Sequence, residues 1–180
     1  MIYVPLSIVA GMSAFMDQDL KVKIVRDVKV QTHPFTNYFQ GFEKVEAVKR
    51  IFGEKTEDVL RNLTVEFHSM RRGYMGVSDI DGHLLVSAHY LKNGDIVDIY
   101  LDVVHELVHV KQFKEGKDLF AHGYSYVERP TEIEAYRHTV EEARRLGLSD
   151  KRICQYLRTE WMSDKDLRQL AKNLNVKRDE

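Results

Sequence analysis

Residues 95–116 read DIVDIYLDVVHELVHVKQFKEG, and the reading of this stretch governs the rest. Ile96, Ile99, Val103, Leu107, Val110 and Phe113 recur at three- and four-residue intervals, the period that lines one stripe of an α-helix. Gly116 marks its stop, glycine being the residue that most easily takes the left-handed turn after a helix. Within the stripe stands His105-Glu106-Leu107-Val108-His109, an H-E-x-x-H motif. Residues four apart face the same way, one turn apart, so the two imidazoles can meet one ion. Glu106 lies at a neighbouring angle, suited to orienting a water made acidic by zinc rather than to binding the metal itself. Random placement gives about 0.03 such motifs per chain of this composition, so chance is a poor account of one set inside a helix.

Upstream of this helix the period is mostly two. Leu20 to Arg26 alternates apolar and polar residues, Leu63 to Phe67 reads as a short strand, and so does His83 to Tyr90. The last is bounded by Asp81-Gly82 and Asn93-Gly94 turn signals. Phe42, Val45, Val48, Ile51 and Phe52 interrupt the strands with helical spacing, and Gly53 ends that run. Arg71-Arg72-Gly73 reads as a loop whose arginine pair is a possible substrate contact. Downstream, a polar loop from Lys117 to Arg129 leads to a helix opened by Pro130 and running to about Gly147. Two more helices follow over 150–160 and 164–173, the second opened by Ser163 and Asp166 at capping-box spacing. Strands and one helix first, helices later, make an α+β fold. The expected organisation is a catalytic domain over 1–147, with a small mixed sheet and the metal-binding helix, and a helical extension over 148–180 packed on it. Trp161 is expected to anchor that packing.

Composition removes several classes. Apolar residues make up 43% of the 180 and charged residues 31%, with 10 Gly and 3 Pro, which excludes collagen-like and disordered chains. The 27 basic and 28 acidic side chains leave a net charge of −1, so a globally basic nucleic-acid binder is not expected. Residues 164–176 resemble the first helix of a helix-turn-helix, but only Lys177 to Glu180 remain where a recognition helix should follow. Cys154 stands alone, leaving no internal disulfide and no cysteine-rich zinc site; it reads as a small buried thiol. Met1 to Met16 carries no charged side chain, and Ile2 to Val9 is apolar. Without a basic leader before it, and broken by Pro5, Gly11 and Asp17, that run is expected to be a buried strand rather than a signal or membrane span. The expectation is a cytoplasmic protein.

Two histidines do not complete a catalytic zinc site, which takes three protein ligands and keeps one position open. The extended H-E-x-x-H-x-x-G-x-x-H pattern is absent, because Gln112 and Glu115 occupy its last two places. The acid-rich opening of the next helix, with Glu128, Glu132 and Glu134, is the obvious source of the third ligand. Here the chain resembles the gluzincins, zinc metallopeptidases with H-E-x-x-H on one helix and a ligand glutamate on the next. Glu132-Ile133-Glu134-Ala135 is similar to the Glu-x-x-Ala/Ser pattern of the thermolysin, Ste24-like and ImmA/IrrE families. The resemblance covers about residues 95–145 and implies a zincin-like fold, one Zn2+ per chain, and His105, His109 and Glu132 as its ligands, with Glu134 and then Glu128 as alternatives. Glu134 has another job available, at capping-box spacing from Thr131. Many relatives follow the small residue with an Asp that supports a ligand histidine. Tyr136 stands there in this chain, leaving its hydroxyl, or Asp102, to take that role.

The resemblance implies hydrolysis of peptide bonds in a peptide or protein substrate, with Glu106 as general base and then proton donor. His138 and Tyr124 lead the candidates for stabilising the oxyanion, followed by His122, Tyr126 and Tyr136. The His83 to Tyr90 segment occupies the place of a substrate-binding edge strand, or is a plain core strand. Two other readings remain: a non-catalytic metal-binding or interaction domain, and a metal-dependent hydrolase of a non-peptide substrate.

Overall fold

The computed structural model describes residues 20–71 and 73–178. The apolar run Ile2 to Val9 and Arg72 lie outside them. Six short strands are present among these residues. β1 (Lys23–Ile24) pairs antiparallel with β3 (Phe39–Gln40). β2 (Thr32–Pro34), β4 (Thr64–His68), β5 (Met75–Val77) and β6 (Leu84–Ser87) form a four-stranded sheet in the order β2-β4-β6-β5. β4 and β6 run parallel, Val65 opposite Leu84 through His68 opposite Ser87, while the outer pairs are antiparallel. Alternation buries Val65 and Phe67 on β4, and Leu84 and Val86 on β6, because successive strand side chains point to opposite faces. The sheet is mixed and small, as the sequence predicts.

Among the described residues, eight α-helices accompany it: α1 (Phe35–Tyr38), α2 (Glu46–Phe52), α3 (Thr56–Asn62), α4 (Ala88–Asn93), α5 (Ile96–Lys114), α6 (Pro130–Arg145), α7 (Asp150–Leu157) and α8 (Asp164–Asn173). α5 is the helix predicted from the apolar stripe. Asp95 caps it, its side chain accepting from the amides of Val97 at 3.0 Å and Asp98 at 3.1 Å. Gly116 (φ 73°) closes it, with the Lys117 amide donating to the Gln112 carbonyl at 3.0 Å, the Schellman pattern that a left-handed residue permits. From Val97 to Val110 only Asp98 and Asp102 are more than slightly exposed, so this helix is enclosed by α2, α6 and β5 rather than lying on the surface.

Several boundaries differ from the sequence reading. Only Lys23–Ile24 of the alternating 20–26 stretch enters a ladder. The 42–52 run divides into a 3-10 turn (Phe42–Lys44) and α2, because Val45 is extended. The expected strand over His83 to Tyr90 stops at Ser87, whose hydroxyl accepts from the Tyr90 amide at 3.3 Å and starts α4. β6 is an interior strand, and the edge beside α5 is β5. The helix expected to reach residue 160 ends at Leu157. The capping box at Ser163 and Asp166 is present, Asp166 N donating to Ser163 Oγ at 3.2 Å. Thr131 and Glu134 form no such box: Arg129 is the N-cap, Pro130 takes the first turn, and the Thr131 hydroxyl donates to the Leu119 carbonyl. Ile153, Leu157, Leu167, Leu170 and Val176 join the core shared by the sheet and α5. Cys154 is only partly buried, with its sulfur 3.6 Å from the Lys177 carbonyl. No helix among the described residues is long and apolar enough to cross a membrane.

α5 and α6 are antiparallel neighbours, Tyr100 meeting Glu142, His105 meeting Tyr136, and Gln112 meeting Thr131. At one end Glu142 is fully buried and accepts from the Tyr100 hydroxyl and from Arg145 Nε and Nη2 at 2.8 and 2.7 Å. Hydrogen bonds to buried charges are among the stronger ones. Tyr100→Phe is therefore expected to lower unfolding stability by about 1.5–3 kcal/mol. It should read in urea as a reduced midpoint at unchanged slope; an unmoved midpoint would show that Arg145 alone satisfies the carboxylate.

Candidate metal centre

His105 and His109 point from α5 toward the first turn of α6, where Glu132 meets them. The two Nε2 atoms are 3.0 Å apart, and Glu132 Oε2 lies 3.4 Å from His105 Nε2 and 3.5 Å from His109 Nε2. All three side chains are buried. Ligand atoms around a small tetrahedral ion with bonds of roughly 2.0–2.1 Å are separated by about 3.3 Å, so this triangle is the right size to hold a metal ion. Glu132 Oε2 has no hydrogen-bond partner among the described residues, while Oε1 faces the Arg129 guanidinium at 3.7 Å. A buried carboxylate oxygen left without a donor is costly, and an ion at this place would satisfy it.

Electrostatics follow from this crowding. Burial pushes the His105 imidazole down, against the pull of Glu132. At His109 burial also works downward, but Glu132 and Glu106 outweigh it and hold the ring up at about 9. Burial would raise the Glu132 carboxyl, yet the two histidines hold it well below the usual range. Glu106 behaves oppositely. Burial lifts it to about 8, His109 opposing and Glu132 and Asp102 adding to the rise. It makes no side-chain hydrogen bond among the described residues.

Gln112 holds the orientation of His109. Its amide nitrogen donates to the Thr131 carbonyl at 3.0 Å and to Glu134 Oε2 at 2.9 Å, which leaves Oε1 facing His109 Nδ1 at 2.7 Å. Nδ1 therefore carries a proton toward Gln112, and when the ring is neutral Nε2 presents a lone pair to the centre. Glu134 also pairs with Lys117 at 2.9 Å, and Glu128 accepts from Ser125 at 2.7 Å; neither approaches the histidines. Tyr136 does not bond a histidine through its hydroxyl. That group pairs with Tyr126 at 2.9 Å, while the ring packs on His105 with centroids 4.4 Å apart. Asp102 does not support His105 either, since its oxygens accept from Tyr90 at 2.5 Å and Tyr156 at 2.9 Å.

The centre opens into a cleft of about 470 Å³. Met75, Gly76 and Val77 of β5, Leu119 and Phe120 line it, and so do Asp102, the Tyr90 and Tyr156 bonded to it, and Tyr74 and Trp161 beside them. Tyr126 and Tyr136 belong to the lining; His138, Tyr124 and His122 do not. His138 is half-buried on α6 with Glu141, Glu134, Arg50 and Lys111 as its nearest charges. Tyr124 and His122 are exposed. Trp161, expected to be a packing anchor, is 62% exposed at the mouth of the cleft, its ring 6.0 Å from Tyr74 and 6.4 Å from Tyr126. Gln112 was legible in principle, lying three residues after His109 on the same helix. Tyr90 and Tyr156 reach Asp102 across 12 and 54 residues, and nothing local announces such contacts. Comparison with known proteins finds no matching family model, curated protein or solved structure.

Two outcomes follow. Glu132→Ala should abolish tight binding of a divalent ion, and Gln112→Ala should weaken it roughly 10–100-fold, while Glu134→Ala has a smaller effect, all read by competition with a chelator. A ranking with Glu134 first would move the third ligand there. The second concerns Asp102, whose carboxyl burial lifts from 3.8 to about 7, against the downward pull of Tyr90 and Tyr156. Folded protein then holds more protons than unfolded between those values, so this group makes stability fall as pH rises through the window. Asp102→Asn removes that slope. Its stability relative to the parent should increase from pH 5 to pH 8 in urea unfolding at constant metal load, and a constant difference would contradict the assignment.

Proposed function

We propose that this chain is a zinc-dependent peptidase of zincin-like, gluzincin type. The observation that carries the reading is the Nε2–Nε2–carboxylate triangle of His105, His109 and Glu132, with Glu106 beside it in a cleft. His105, His109 and Glu132 would hold a zinc ion, which when bound would supply Lewis acidity to lower the pKa of water and polarise a carbonyl. Glu106, in its carboxylate form, accepts the proton of the attacking water and passes it to the departing amine. Tyr126 and Tyr136 are held protonated by burial, so a hydroxyl at the cleft is available to donate to the oxyanion. β5, an edge of the sheet among the described residues, borders the same cleft and is suited to pairing with an extended peptide backbone. That edge favours a peptide over other hydrolysable substrates.

The reading as a non-catalytic metal domain is weaker for two reasons. A structural zinc site is normally closed by four protein ligands, whereas three meet here among the described residues. Glu106 is a buried carboxylate with no structural hydrogen bond, an arrangement that costs stability and is kept where a perturbed acid is used.

Glu106→Gln is the deciding experiment. The amide keeps the side chain's shape, so one zinc per chain should remain by elemental analysis. Turnover of an unstructured peptide library should fall by about 10²–10⁴, since the amide neither accepts nor relays a proton. Chelator-sensitive cleavage surviving intact in this variant would refute the mechanism.

A further inference from the structure

The end of the cleft away from the metal centre has a composition that the hydrolytic chemistry does not require. Asp102 lies on α5 four residues before Glu106 and three before His105, one helical turn or about 6 Å along the axis. Its carboxylate faces the cleft, and both oxygens accept from neutral hydroxyls, those of Tyr90 and Tyr156. No basic side chain among the described residues forms an ion pair with it. Its neighbour Asp98 is served by Arg152, which also reaches Asp95. Arg158, the one guanidinium in the lining, is bonded to Asp164 at 2.6 Å. Asp102 is thus a largely desolvated carboxyl with no counter-ion among the described residues.

Aromatic rings stand around it. Tyr74 packs edge-on to Tyr90 with centroids 4.9 Å apart, and Trp161 lies 6.0 Å from Tyr74 and 6.4 Å from Tyr126. These rings do not close over one another as a packed core would, since Trp161 remains 62% exposed. A desolvated carboxylate with aromatic walls is the arrangement that attracts a cation, by ion pairing at its base and by ring quadrupoles at its sides.

We propose that this end of the cleft is a subsite for a cationic group of the substrate, a guanidinium or ammonium, with Asp102 as its counter-charge and Tyr74, Tyr126 and Trp161 as its walls. The proposal rests on the peptidase reading for its meaning: the cation belongs to a peptide whose scissile bond lies one helical turn away, either in a basic side chain or at a free N-terminal amine. A neutral side chain would leave Asp102 unpaired and further desolvated, which is how such a site rejects it.

Trp161 is the chain's single tryptophan, and its place at the mouth makes its fluorescence the reporter. Three small probes suffice, at pH 8: N-acetyl-arginine amide, its neutral near-isostere N-acetyl-citrulline amide, and leucinamide, which offers only a free N-terminal amine. The arginine probe is expected to bind at least tenfold more tightly than the citrulline probe. In Asp102→Asn that preference should vanish, with folding checked by circular dichroism and zinc content unchanged. Leucinamide binding that needs Asp102, without arginine selectivity, would place the cation at the substrate's N-terminus and still support the subsite. Equal affinity for the arginine and citrulline probes without leucinamide binding, no response to any probe at millimolar concentration, or a preference that survives Asp102→Asn would each overturn it. Repeating the titrations in Glu106→Gln, which should hold zinc without turnover, keeps binding separate from any cleavage of leucinamide, and the arginine–citrulline comparison in the parent protein decides the subsite should Asp102→Asn not fold.

Discussion

Everything at the candidate centre depends on the antiparallel docking of α5 against α6. Two histidines one turn apart are provided by a single helix, but the third corner of the triangle arrives from a helix that begins 16 residues after α5 ends. A shift of one residue along α6 would turn Glu132 away from the imidazoles by about 100°. Two polar contacts hold that register from opposite ends. Glu142 receives Tyr100 at one end, and Gln112 bridges Thr131, Glu134 and His109 at the other. Both involve buried groups, which makes a slipped arrangement expensive, because it would strand a desolvated donor or acceptor. Apolar packing alone is far more tolerant of sliding.

The same docking gathers an unusual density of ionisable groups in a small volume. His105, His109, Glu106 and Glu132 are all buried, and Asp102 stands one turn away. Their protonation is mutually dependent, since Glu132 is held ionised by the histidines while Glu106 is pushed toward neutrality by burial and by Glu132. Environments that drive neighbouring carboxyls in opposite directions separate a ligand from a proton carrier. Glu132 and Glu106 are driven in opposite directions although both are glutamates near the same pair of rings.

The parts legible in the sequence were those written in local spacing. The α5 stripe, its Gly116 stop, the H-E-x-x-H pair, the Pro130 start and the Ser163 cap all depend on residues within one or two turns of each other, and the structure contains each of them. The parts that failed depended on distant partners. His83 to Tyr90 reads as one strand, yet Ser87 caps a helix, and whether β6 is an edge depends on β5 docking beside it. Thr131 and Glu134 have capping-box spacing, but the helix begins one residue before Thr131, and Glu134 finds Gln112 and Lys117 instead. Trp161 was expected to anchor the packing of the C-terminal helices, whereas it stands exposed in the α7–α8 connection. Asp102 was visible on the right helix, but its tyrosine partners come from α4 and α7.

The C-terminal helices change what the cleft is. α5, α6 and β5 would by themselves make a shallow groove open on the side of Asp102. α7 and the segment after it bring Gln155, Tyr156, Arg158, Thr159 and Trp161 to that side, while Ile153 and Leu157 on the same helix enter the common core. One short amphipathic helix therefore secures its place by apolar burial and lends its polar side to the cleft. This coupling has a physical consequence for Asp102. Tyr156 both donates to the carboxylate and excludes water from it, so the helix that stabilises the ionised form by hydrogen bonding also raises the cost of the charge by desolvation. The balance leaves the group near neutrality in the free protein, where a cation entering the cleft would shift it furthest. The charge state of Asp102 and the packing at this end of the molecule thus draw on the same three side chains, Tyr90, Asp102 and Tyr156.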